Sequence, residues 1–94
     1  MIKIKAKIRL YINGRITPFA DGYRPLFNFI DEMKTSGMIH LINKNEFCPG
    51  EEGVVEISFL DNQYLGTNFG KGTGFTFGEG REPLGEGEIL EIIN

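Results

Sequence analysis

From Ile2 to Ile12 every even position is apolar, namely Ile2, Ile4, Ala6, Ile8, Leu10 and Ile12, while the odd positions carry Lys3, Lys5, Lys7 and Arg9. A period of two over that length specifies a β-strand with one dry face and one wet face, since a helix would spread the same residues around its whole surface. Asn13-Gly14 then stops the strand. The rest of the chain is punctuated in the same way: Pro18, Gly22, Pro25 and Pro49-Gly50 each open or close an element, because Pro fixes φ and Gly supplies the conformations that tight turns need.

Between these stops lie short extended runs. Tyr23, Phe27 and Phe29 begin a second strand, Met38 to Ile42 is a short third, and Val54 to Leu60 is a longer one with Val55, Ile57 and Phe59 on one side. Asp31 to Gly37 is polar and reads as a loop. Residues 66 to 87 hold eight Gly, yet Phe69, Phe75, Phe77 and Leu84 give the stretch something to bury, so it reads as a bulged hairpin. Glu88 to Ile93 closes the chain as a strand. No stretch is long enough for a helix that carries a fold, so the pattern specifies a small all-β antiparallel barrel or sandwich. The core expected from it comprises Ile4, Ile8, Leu10, Phe27, Phe29, Val55, Ile57, Phe59, Phe75, Phe77 and Ile89.

Ninety-four residues, 40% of them hydrophobic with eight Phe, make one domain over residues 1–94. The net charge of −3 argues against a general polyanion binder. Charge is unevenly placed, however. The first twenty-four residues hold six Lys or Arg against Asp21, and the last sixteen hold five Glu against Arg81, so pairing of the first and last strands would match opposite charges. One cysteine excludes an internal disulfide and suits the cytoplasm. No apolar run has the length of a membrane span, and Met1-Ile2-Lys3-Ile4-Lys5 is not a signal peptide.

Residues that could carry chemistry are sparse. Gly66-Thr67-Asn68-Phe69-Gly70-Lys71-Gly72-Thr73 has the wrong spacing for a phosphate loop and leads into a strand, so no nucleotide cofactor is expected. His40 and Cys48 sit eight residues apart across a turn; Cys48 reads as a small apolar residue at the core edge, and no catalytic pair follows. One His, one Cys and scattered Glu offer no metal-ligand spacing.

The order of motifs adds a second line of reasoning. Gly14-Arg15-Ile16-Thr17-Pro18-Phe19, then Gly22-Tyr23-Arg24-Pro25-Leu26-Phe27-Asn28-Phe29, then Phe47-Cys48-Pro49-Gly50-Glu51, then the Phe75 to Gly87 hairpin, resembles the C-terminal, third domain of translation elongation factor Tu over almost the whole chain. The resemblance implies a closed antiparallel barrel of about six strands with Greek-key connections. It places GTP hydrolysis in a separate N-terminal domain, so no enzymatic activity and no catalytic, cofactor or metal residues are expected. In that family the third domain helps hold the T stem of aminoacyl-tRNA and contacts other proteins. Of its T-stem positions this sequence keeps Arg15 and Gly80, whereas Leu26, Ile30, Met38, Asp61, Gly78 and Glu82 stand where the family has Gln, Arg, Thr, Lys and two Arg. Charge-assisted phosphate contacts are thereby lost.

These readings combine into an expectation of a stand-alone cytoplasmic protein-interaction module linked to translation, without DNA or membrane partners. Its interaction surface would comprise Arg15, Tyr23, Arg24, Gly80 and Arg81, with Arg24 pinned by a carboxylate or by backbone carbonyls. The alternative is a residual tRNA or RNA binder using the basic face of Lys3, Lys5, Lys7 and Arg9.

Overall fold

The computed structural model describes residues 1–93. Nine strands and no helix are present among the described residues: β1 (Ile2–Leu10), β2 (Phe19–Ala20), β3 (Leu26–Ile30), β4 (Met33–Ser36), β5 (Met38–Leu41), β6 (Glu46–Phe47), β7 (Glu52–Phe59), β8 (Gly74–Gly78) and β9 (Pro83–Ile92). Seven of them form one antiparallel sheet in the order β4-β3-β8-β9-β1-β7-β5, and β2 pairs with β6 in a small second sheet. The alternation of β1 holds as far as Leu10. Ile12 is 73% exposed, because the chain has already entered the turn that Gly14 closes on Tyr11.

The all-β class holds, but the strand count and closure differ from the six-stranded closed barrel that the resemblance implies. The sheet curls into a half-barrel whose ladder ends at β4 on one side and β5 on the other. Met33–Ser36 lies in the stretch that reads as a loop, and its polar composition hides a strand in which only Thr35 is buried. The two edge strands are separated by one residue, Gly37. A Cβ there would lie 2.7 Å from a ring carbon of Phe59 and 2.8 Å from one of Phe27, so only glycine lets the chain pass this close to the core as it changes pairing partner.

The interior is aromatic. Phe27 sits at its centre, 5.2 Å from Phe59 and 5.8 Å from each of Phe75 and Phe77 between ring centroids, within the range of favourable ring pairs. Ten of the eleven expected core residues are buried; Phe29 is only partly so, because it caps the cluster next to Phe69. Phe19, Ile39, Phe47, Leu65 and Ala6 complete the core. The glycines of the last hairpin are part of this packing. Gly85 pairs with Phe77 and Gly87 with Phe75 across the β8–β9 ladder, and each ring lies over its glycine.

β1 lies between β7 and β9, so the two ends of the sequence are neighbours. Lys5 faces Glu91, Lys7 faces Glu88 and Arg9 faces Glu86 on one side; Lys5 faces Glu56 and Arg9 faces Glu52 on the other. Opposite charges at exposed cross-strand positions contribute a few tenths of a kcal/mol each, so they set register more than stability. Burial of the Phe cluster carries the larger share. Truncation of fully buried Phe59 to Ala should lower stability by about 3–5 kcal/mol in chemical denaturation. A loss below about 1 kcal/mol would remove that ring from the cluster's energetic centre.

Candidate functional site

The turns around β2 assemble a column of side chains. Gly22 adopts φ +90°, which returns the chain so that Tyr23 bridges to Ile39, while the β2–β6 pairing sets Phe19 opposite Phe47. Tyr23 stacks on Phe19 at 4.5 Å, and Phe19 stacks on Phe47 at 5.3 Å. A cation caps each end: the Arg15 guanidinium lies 5.0 Å from the Tyr23 ring centroid, and the Lys44 ammonium 4.8 Å from that of Phe47. Each cation also has a carboxylate, Glu79 for Arg15 and Glu51 for Lys44. Cation–π contacts of this kind contribute about 0.5–1 kcal/mol at exposed sites.

Glu79 ties the column to the β8–β9 hairpin. One of its oxygens accepts from Arg15 Nη1 at 2.5 Å and also from the Tyr23 hydroxyl, while Arg15 Nε donates to the carbonyl of Thr17 at 2.9 Å. Burial pushes the Tyr23 hydroxyl well above its ordinary value of 10.0, and the bond it donates to Glu79 adds to the effect. On the same hairpin the Gly80 carbonyl accepts from Lys34 Nζ at 2.6 Å, which fastens the tip to β4. The structure therefore brings Arg15, Tyr23 and Gly80 into one fixed surface, with Glu79 and Lys34 as members that the sequence reading missed. Arg81 is exposed at the tip, without a partner among the described residues.

Arg24 departs from expectation. It is exposed and takes no hydrogen bond or ion pair among the described residues; the pinned arginine is Arg15. Neighbouring side chains of an extended segment point to opposite sides. With Tyr23 turned toward Arg15 and Phe19, Arg24 falls on the other side, where it lines a groove of about 550 Å³ beside β4. Leu60, Met38 and Tyr64 supply the groove's apolar surface, and Tyr64 holds φ +64°, an uncommon backbone conformation for a bulky residue.

Two further placements bear on chemistry. His40 Nε2 lies 3.2 Å from Ser58 Oγ at the groove, but no carboxylate pairs with the imidazole among the described residues, so nothing orients it as the base of a triad. Cys48 is exposed rather than closing a core edge: its N–H donates to Glu51 Oε1 at 2.9 Å and its carbonyl accepts from the Glu51 N–H at 2.9 Å, so the Pro49-Gly50 turn carries the thiol outward. The basic stripe of β1 is flanked by acids, with Lys7–Glu52 at 3.2 Å, Arg9–Glu86 at 3.5 Å and Lys3–Glu56 at 4.0 Å. A comparison of the chain with known protein families finds none that matches.

Burial of the Tyr23 hydroxyl, together with its bond to Glu79, has a consequence at alkaline pH. Above pH 10 the unfolded chain's tyrosine releases its proton while folded Tyr23 retains it, so stability falls as pH rises toward the folded value. Denaturant midpoints measured from about pH 9 to about pH 11 should therefore drop more steeply for the wild type than for Tyr23→Phe. Parallel slopes would mean that the hydroxyl is neither buried nor held by Glu79 in solution.

Proposed function

We propose that this chain is a non-enzymatic protein-interaction module with the Greek-key architecture of the elongation factor Tu third domain. In this reading it works in the cytoplasm beside the translation machinery and binds a protein that normally recognises that domain. The resemblance of the Gly14 to Phe29 and Phe75 to Gly87 motifs supports the architecture, and the antiparallel half-barrel is compatible with it. The nine strands among the described residues and the half-barrel differ from the closed barrel of about six that the resemblance implies, while remaining all-β and antiparallel.

The observation that carries the choice of a protein over RNA is the state of the cations. Lys3, Lys7 and Arg9 are paired with glutamates on the flanking strands, Lys5 stands between Glu56 and Glu91, and Arg15 is committed to Glu79. Binding a phosphate backbone draws its free energy from cations that can exchange counterions for phosphates. Cations already matched by fixed carboxylates contribute little of that. A flanking row of Glu would also repel the incoming backbone, since each carboxylate lies within a Debye length of the stripe. A surface whose turns and hairpin tip are tied down by Arg15–Glu79, Tyr23–Glu79 and Lys34–Gly80 instead offers the preorganised relief that protein partners use.

Titration with labelled tRNA at about 150 mM salt should show no binding at submicromolar concentration, and incubation with GTP should yield no hydrolysis. Submicromolar tRNA binding that is lost in Arg15→Glu would overturn the reading in favour of an RNA binder.

A further inference from the structure

The groove beside β4 lies where the sheet's ladder is left open. Among the described residues β4 pairs only with β3, so its other edge carries main-chain groups without a strand partner there. The Gly37 N–H donates to the Pro25 carbonyl at 3.4 Å, which sets the phase of this ladder. Alternation then turns the N–H and C=O of Ser36 and Lys34 away from β3, toward the groove that both residues line. β5, by contrast, has its edge covered: Ile39 exchanges backbone bonds with Gly22 and Tyr23, and the Leu41 N–H donates to Asp21.

Side chains around the open edge define what would fit. Leu60 is 74% exposed and Tyr64 42%, and with Met38 they present apolar surface at the groove. Arg24 stands beside them and forms no ion pair among the described residues. The acid at the groove, Asp61, forms no ion pair with Arg24, and its Oδ1 accepts from the Gln63 N–H at 2.9 Å. A second copy of this chain is a poor match, because antiparallel pairing of two β4 edges would set Lys34 and Arg24 of both chains close together. A separate acidic strand has no such conflict.

We propose that an extended acidic segment of a partner protein adds as a strand to the free edge of β4, placing apolar side chains on Met38, Leu60 and Tyr64 and a carboxylate on Arg24. This is recognition by strand addition, in which main-chain bonds supply affinity and alternate side-chain contacts supply specificity. It rests on the reading of the chain as a protein-interaction module and names the site and the partner's chemistry.

The test is selection from a displayed library of short random peptides against the whole chain. Enriched sequences should be acidic with β-branched or aromatic residues alternating. Arg24→Glu should weaken them by about tenfold or more, the loss expected for a charge-assisted bond turned into a repulsion. Ser36→Pro removes an outward N–H without touching the β3 ladder, so it should abolish binding while the amide spectrum stays that of the folded domain. Should that variant unfold, Arg24→Glu at an exposed position still decides. No enrichment, enrichment of basic peptides, or binding unchanged by Arg24→Glu overturns the proposal. A whole protein bound with equal affinity by wild type and Arg24→Glu would overturn the groove assignment and leave the interaction module standing; submicromolar tRNA binding would instead overturn the module reading on which it rests.

Discussion

A methyl group at Gly85 would lie 2.4 Å from a ring carbon of Phe77, and one at Gly87 would lie 2.5 Å from a ring carbon of Phe75. Interiors pack near the density of organic crystals, so rings of this size fit only where the facing strand yields volume. The chain meets that constraint by placing glycine opposite phenylalanine at successive inward positions of β8 and β9, and again at Gly37 against Phe27 and Phe59. The same frame positions the surface: the β8–β9 hairpin carries Glu79 to Arg15, and Gly37 lets the backbone run against the core where β4 gives way to β5.

The side chains around this frame fall into two zones. One is closed: Arg15, Tyr23, Glu79, Phe19, Phe47 and Lys44 satisfy one another in a continuous stack, with the Gly80 carbonyl fastened to Lys34. The other is open. Arg24, one residue from Tyr23 in sequence, belongs to it because consecutive residues of an extended segment cannot share a side. The Gly22-Tyr23-Arg24-Pro25 motif therefore contributes its tyrosine to structure and leaves its arginine available.

How far the sequence spoke depends on which residues are considered. The match of the basic first strand to the acidic end of the chain was legible because β1 alternates strictly and the Glu residues cluster in the last stretch, as was the placement of Phe27, Phe59, Phe75 and Phe77 inside. Phe19, Phe47 and Ile39 were not legible as core. Two of them lie in two-residue strands next to prolines or turns, too short for any period to register, and their burial depends on pairing between β2 and β6, distant in sequence. β4 was hidden for a related reason: Met33-Lys34-Thr35-Ser36 has one buried side chain, and its strand character comes from β3 rather than from its own pattern. Arg15's carboxylate was illegible because Glu79 is sixty-four residues away. The one local sign of the groove was Leu60, an apolar residue that breaks the alternation after Phe59 and stays exposed.

The acid–base–acid banding across β7, β1 and β9 also sets how the domain looks from a distance. Rows of opposite charge separated by one strand spacing, about 4.8 Å, cancel beyond a Debye length of about 8–10 Å, so the field they cast outward is weak and decays quickly. In the interaction role proposed above, such a surface would gather partners by unassisted diffusion rather than by long-range attraction, with encounter rates in the ordinary range for neutral surfaces. Selectivity must then reside in how long a complex lasts once formed. Discrimination between partners becomes a matter of dissociation, decided by the few short-range contacts that an arriving chain can complete.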